Sequence, residues 1–301
     1  MTSTVTARTT RALLCLIFAC TSVVLTHAWQ AARMQAPVRV PRITAQPVLQ
    51  TIGKLVIAAA NKPDVDLRPE IASLGITIRP SQNGRGTCSV FAVTFLLEYM
   101  YTKNYQMKAT DLSEEFLNYA SNLAIGTKVD GGFFDDIDKG YQKYGMVDEA
   151  MAPYQISFNP SVAYRPNVMD AGAKIAPRLK AHFIKPWDVT TGLLPSQLLS
   201  IMVQLKAGRP VAGGVRWPKG QTLPTETVAG VTMLKDVAAS EVFDGHSIAF
   251  VGFKASDAFP GGGYLIFRNH WGTGFMDQGY GYMSFAYATK YTNDLLQYIK
   301  P

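Results

Sequence analysis

Cysteine is almost absent from this chain: it has 301 residues and three cysteines, two of which, Cys15 and Cys20, precede residue 29. If that segment is removed, Cys88 is the only thiol left, which excludes the disulfide framework that staples many exported proteins. Histidine is nearly as scarce, with four in all. Charged residues make up 17% of the chain, and after residue 28 no apolar run is long enough to cross a bilayer. There is no G-x-x-x-x-G-K-[ST] phosphate loop and no internal repeat, which excludes a P-loop nucleotide enzyme and a solenoid. Nothing in the sequence calls for a cofactor or a metal. Asp130, Asp135, Asp136 and Asp138 lack the order of a calcium loop and read as a solvated helix face.

The formal charge of +7 raises the question of an anionic partner. Residues 1–28 contribute +2 and residues 29–64 contribute +4, which leaves +1 for the rest. The basicity belongs to the leader, so no nucleic-acid partner is expected.

In the first 28 residues, Arg8 and Arg11 precede the apolar stretch 12–25, and Thr26-His27-Ala28 has the character of a cleavage site. This predicts an export signal and a secreted or periplasmic location. The alternative is an uncleaved amino-terminal anchor, the one route by which a membrane partner enters. Residues 29–64, rich in Pro, Gln and Arg, read as a linker or short pro-segment, and a compact domain is expected over 65–301.

Within that domain the periodicity predicts helices over 88–105, 113–124, 133–144 and 196–207, with Gly145 and Gly208 as stops for the last two. Strands are predicted over 211–217, 247–253, 264–269 and 280–285. A helical part (about 65–160) before a β-rich part (about 161–301) predicts an α+β fold with a cleft between two lobes. The stretch 218–241 is expected to be a loop that partly closes the cleft.

Cys88 follows the polar, glycine-containing run Ser81-Gln82-Asn83-Gly84-Arg85-Gly86-Thr87 and heads an apolar helix. A helix amino end lowers a thiol's pKa and offers free N–H groups to a developing oxyanion. Gln82 is the natural side-chain donor beside them. The plain alternative is a small buried apolar side chain, but Cys88 is solitary, begins a helix and has partners downstream. With His27 in the leader, the base is His182, His246 or His270. His246 lies just before the apolar stretch 248–253; His182 has no companion motif, and His270 adjoins Asn269, which suits an orienting group acting across the cleft better than a chain neighbour.

Three motifs together resemble the papain-like cysteine peptidases, and the likeness is to a bacterial-type member. They are Gln82 with Cys88 six residues on, Gly245-His246 followed by a strand ending in Val251-Gly252-Phe253, and Asn269-His270-Trp271-Gly272-Thr273-Gly274 followed by Gln278-Gly279-Tyr280. Val65-Asp66-Leu67-Arg68 resembles the mature start of bacterial relatives. The resemblance implies a two-lobed fold: a helical lobe whose central helix is headed by the nucleophilic Cys, and a β-barrel-like lobe facing it. It implies Cys88 as nucleophile, His246 as base, Asn269 orienting the His and Gln82 in the oxyanion hole. It further implies Gly131 and Gly132 as a substrate-binding edge and Trp271 as a shield over the Asn–His bond; read locally, these are a turn and a core aromatic.

The implied activity is hydrolysis of peptide or protein substrates through a thioester. The alternatives are an amidase or acyltransferase with the same nucleophile, and a silent binding protein on the same scaffold. Two departures stand out: Arg85 occupies the place of a disulfide cysteine, and Ser89 that of the usual Trp.

Overall fold

The computed structural model describes residues 64–108, 111–187, 191–220 and 222–301. The expected export segment (1–28) and nearly all of the expected linker (29–64) lie outside the described residues. The description begins with strand β1 (Asp64–Asp66) and helix α1 (Arg68–Ser73), followed by α2 (Cys88–Tyr105), α3 (Glu114–Ile125), α4 (Phe134–Tyr144) and α5 (Pro166–Lys174). After these come β2 (Lys180–Lys185), α6 (Pro195–Lys206), β3 (Val211–Pro218), β4 (Thr225–Val228) and β5 (Val231–Leu234). The chain ends with β6 (Val242–Ala255), β7 (Gly263–Arg268), β8 (Tyr280–Ser284), α7 (Phe285–Tyr291) and β9 (Thr292–Ile299).

All four expected helices form, and their ends have physical causes. Ser113 caps α3 by accepting a hydrogen bond from the Phe116 N–H, and Glu114 and Glu115 in the first turn complement the helix dipole. Helix α2 is different, since every residue from Ser89 to Tyr101 is buried. It packs against α3 and α4 on one side and against β3, β6 and β9 on the other. One continuous apolar core joins its side chains to those of the sheet, and a small second cluster around Phe116, Val147 and Val168 sits beneath α3 and α5.

The strands form one nine-stranded sheet in the order β2-β9-β3-β6-β7-β8-β5-β4, with β1 also on β6. All pairings are antiparallel except β5 with β8. Three expectations need correction. Strand β6 begins at Val242 rather than after His246, because β3 pairs alongside it from Pro218↔Val242 and the partner's ladder overrides the polar local sequence. The stretch 218–241 is not all loop: Thr225–Leu234 within it folds into the β4–β5 hairpin at one edge of the sheet. Asp130 and Asp138 are not on a solvated face, since Asp130 holds Arg85 and Asp138 accepts from Gln142 and Tyr298. Asp135 does match that description, 45% exposed and paired with Lys139, whereas Asp136, which also pairs with Lys139, is only 14% exposed.

Strand β9, which lies between β2 and β3, is buried over nearly its whole length although it contains Asn293 and Asp294. Asp294 is opposite Gly214, whose N–H donates to its carboxylate. A Cβ at position 214 would lie 2.0 Å from Asp294 Oδ1, so glycine is required there. Burial pushes the Asp294 pKa up to about 7, against the Gly214 hydrogen bond and the charge of Lys185. The folded protein therefore binds this proton more tightly than the unfolded chain, and the associated stability is lost as pH rises through 7. At most this is about 4 kcal/mol. Asp294→Asn is expected to melt above wild type at pH 8 and to lose that advantage at pH 5, which melting curves at the two pH values will show.

Candidate active site

Cys88 is the first residue of α2, preceded by Thr87 in a non-helical conformation and without a side-chain cap. The backbone N–H groups of the first turn are thus free of intrahelical partners. The loop before it turns sharply: Asn83 and Gly84 adopt left-handed φ values of 56° and 74°. Gln82, 7% exposed, donates from Nε2 to the Arg85 carbonyl at 2.7 Å, and its Oε1 is buried without a hydrogen-bond partner. The Gln82 N–H donates to the His270 carbonyl at 3.0 Å, which ties the loop to the turn after β7.

His246 enters from the sheet, opposite Val215 in the β3–β6 pairing. Its Nε2 lies 2.7 Å from Asn269 Oδ1, which makes Nε2–H the donor and leaves Nδ1 as the basic nitrogen. Asn269 sits just past the end of β7, and its N–H donates to Gly279 O at 2.9 Å. Two indoles enclose the imidazole: Trp271 lies tilted over it with centroids 4.7 Å apart, and Trp217 meets it edge-on at 4.6 Å. Burial pushes the His246 pKa down to about 4, with the Asn269 bond opposing. The Cys88 thiol is pushed up by burial, while the N–H and hydroxyl of Ser247, next in chain to His246, act to lower it. Burial thus favours the neutral form of each group taken alone.

Gly131 reaches the other side of the loop before Cys88. Its φ is +82°, and a Cβ there would lie 2.0 Å from Gly86 O, so only glycine allows this approach. The Gly131 N–H donates to Asn118 Oδ1 at 2.9 Å, and Gly132 N–H to Ser89 Oγ at 3.4 Å. Ser89, in the place of the usual Trp, thus ties the Gly-Gly turn to the central helix.

Cys88, His246, Asn269, Gln82, Gly131, Gly132 and Trp271 therefore gather around the amino end of α2. The other two histidines stay apart from the reaction geometry. His182 is exposed in β2 opposite Gln297, and His270 is buried against Phe91 while the Asn269 oxygen is taken by His246. Sequence reasoning missed Trp217 and Ser247. Trp217 carries no motif, and its role arises only from the β3–β6 register; Ser247 was visible as the neighbour of His246. Among the described residues no group of His, Cys, Asp and Glu is arranged to hold a metal. A groove of about 1130 Å³ between β1, the β4–β5 hairpin and the outer face of β7 and β8 is lined by ion-paired Arg68, Asp66 and Asp277 and lacks these groups.

Comparison with protein families matches residues 62–294 to the papain family of cysteine proteases. This chain belongs to that family. It is accordingly a cysteine-type peptidase, a hydrolase whose substrates are peptides or proteins. Among solved structures, xylellain, a cysteine protease from Xylella fastidiosa, is 18% identical with a TM-score of 0.60 over 89% of this chain and 97% of that one. Digestive procathepsin L 3 from the larval midgut of Tenebrio molitor is 18% identical with a TM-score of 0.56, covering 88% of this chain and 74% of that one. The ragweed pollen allergen Amb a 11, a cysteine protease in its proform, is 20% identical with a TM-score of 0.58, covering 90% and 73%. At these identities the likeness is one of fold, and the papain-like architecture expected from sequence is the observed one. Comparison with the curated proteins returned no match.

Within this papain-like site the Gly131 approach is the tightest backbone contact. Gly131→Ala is expected to cost about 2 kcal/mol or more, from a left-handed alanine and the clash with Gly86. Urea unfolding will read that loss, and alkylation of Cys88 in native buffer should slow with it.

Proposed function

We propose that this papain-family chain hydrolyses peptide bonds with Cys88 as nucleophile, His246 as general base and acid, Asn269 as the residue orienting His246, and Gln82 as an oxyanion donor. The observation that carries this reading is the 2.7 Å bond from His246 Nε2 to Asn269 Oδ1, which keeps Nδ1 unprotonated beside the strand residue that contacts the thiol. His246 Nδ1 takes the Cys88 proton as Sγ attacks the carbonyl carbon of the substrate. The resulting oxyanion is received by the Cys88 N–H and by the Gln82 Nε2 hydrogen not given to Arg85. His246 then passes its proton to the leaving amine. Water, deprotonated by the same ring, hydrolyses the thioester and frees the thiol.

Gly131 and Gly132, whose turn approaches the loop before Cys88, form the edge along which the substrate backbone lies. Trp271 shields the Asn269–His246 bond. The peptidase unit is 65–301, supported by the family match over 62–294. Arg8, Arg11 and the apolar stretch 12–25 support delivery of that unit outside the cytoplasm.

With His246 lowered to about 4 by burial, the Cys88–His246 pair is competent well below the ordinary imidazole pKa. Activity should thus rise with pH along an acid limb near pH 4. Trp217→Ala admits water to the ring and should move that limb up toward 6.5. The experiment follows Cys88 alkylation by iodoacetamide and peptide cleavage together against pH, in wild type and His246→Ala. Fast alkylation persisting below pH 6, lost in the variant and tracked by cleavage, is expected. Alkylation following an ordinary thiol near 8.5, with no cleavage, refutes the peptidase reading in favour of a silent scaffold.

A further inference from the structure

The bonds of the Arg85 guanidinium go to Glu115, Asp130 and Gln155 rather than to Cys88, His246, Asn269 or the Gln82 side chain, yet the Arg85 side chain is only 4% exposed and every arm of the guanidinium is used. Nη1 donates to Glu115 Oε2 at 2.5 Å and to Gln155 O at 2.7 Å; Nη2 donates to Asp130 Oδ1 at 2.8 Å, and Nε to Asp130 Oδ2 at 3.1 Å. Glu115 belongs to α3, Asp130 precedes the Gly-Gly turn, and Gln155 follows Tyr154. One buried cation thus joins the nucleophile loop to three separate parts of the helical region. Asp130 adds a contact of its own, accepting from the Gly86 N–H at 3.3 Å.

Tyr154 completes the arrangement. Its ring lies over the Arg85 guanidinium, 4.5 Å from centroid to Cζ, and meets Phe91 of α2 edge-on at 5.0 Å. Its hydroxyl donates to the Gln82 carbonyl at 3.0 Å and lies 2.7 Å from Thr87 Oγ1. A phenol has one proton, so Thr87 is the donor in the second bond. A single hydroxyl therefore spans the loop from the residue bearing the side-chain oxyanion donor to the residue before the nucleophile. Gln82 Nε2 bonds the carbonyl of Arg85 itself, so the orientation of its amide depends on where Arg85 is held.

We propose that Arg85 and Tyr154 are positioning residues that set the 82–87 loop, and through it the Gln82 amide and the Cys88 N–H, for binding the oxyanion. The proposal rests on the peptidase reading. Between Gln82 and Cys88 the loop contains two left-handed residues and, with Cys88 the one cysteine described, no disulfide to hold it. Its shape is imposed from outside by the charge cluster and the phenol. Misplacing an oxyanion donor by a fraction of an ångström raises the barrier of the acyl-transfer step, while leaving the thiol and its base in place.

The test separates oxyanion chemistry from thiol chemistry in the purified full chain. Alkylation by iodoacetamide displaces iodide at a tetrahedral carbon and develops no oxyanion, whereas peptide hydrolysis does. Tyr154→Phe removes one hydroxyl and keeps the ring over Arg85 and against Phe91; Arg85→Lys keeps the charge and removes the fork. In Tyr154→Phe, kcat for a peptide substrate should fall by about 10-fold or more, while KM and the alkylation rate stay within about twofold. Arg85→Lys should show the same split with a larger loss. In a Gln82→Ala background the Tyr154→Phe loss should shrink to the part carried by the Cys88 N–H, since the side-chain donor it positions is gone.

An unchanged kcat in Tyr154→Phe overturns the proposal. So does a fall in alkylation parallel to the fall in kcat, which would place the effect on the thiol. So does a loss of melting temperature with kcat per titrated thiol unchanged, which would make the cluster structural only. Wild type that alkylates slowly as an ordinary thiol and cleaves no peptide fails earlier, and overturns the peptidase reading itself.

Discussion

From Ser89 to Tyr101, helix α2 has no face turned to water, and this requires the chain to supply packing on every side of it. Helices α3 and α4 supply one side and the sheet strands β3, β6 and β9 the other. A fully enclosed helix exposes polar backbone only at its ends, so its first-turn N–H groups are the natural place for chemistry that develops negative charge. Cys88 stands at that end. The sheet side delivers His246 and Asn269 to it, and the helical side delivers the Gly131 turn and the Arg85 cluster.

Burial has a second consequence, visible in the titrating groups. Packing between two indoles lowers His246, and enclosure raises the Cys88 thiol, so each group alone favours its neutral form. Neutral groups are easily kept in a dry site, and transfer of one proton between neighbours creates a charge pair without bringing in a bulk ion. The water exclusion that opposes charge at rest would also strengthen the N–H donors that the proposed mechanism aims at the oxyanion. On the proposed mechanism the aromatic enclosure and the polar loop are complementary: one controls His246, the other the developing charge.

Buried charge recurs on the helical side. Arg79 pairs with Glu98 of α2, with Glu114 of α3 and with Asp111, while Arg268, immediately before Asn269, lies over Phe95 and donates to Thr77 O at 2.6 Å. Burial pushes Glu98 and Glu114 upward, with Arg79 opposing. Such clusters add little net stability compared with apolar packing, but breaking one partner leaves an uncompensated charge, so they define geometry more than they raise stability. Arg85 with Glu115 and Asp130 belongs to the same class, and its place in the loop before Cys88 is what the proposed positioning role draws on.

The sequence by itself determined the central helix to the residue and placed most helices in a part ahead of a β-rich one, because these rest on local signals: a loop-to-helix break and apolar runs. It marked Cys88, His246, Asn269 and Gln82 only through their resemblance to the papain-like motifs. It did not show that His246 lies inside β6, that β9 with its Asn293 and Asp294 is buried, or that 218–241 holds a hairpin, because strand ladders are made with partners far away in the chain. It could mark Arg85 as a departure from a family pattern but not say what Arg85 holds. Which carboxylates face its guanidinium, and which ring covers it, is decided when α3, the Gly-Gly turn and the Tyr154 segment meet. A charge acquires partners only through the packing that excludes water from around it, and that packing exists only in the tertiary structure.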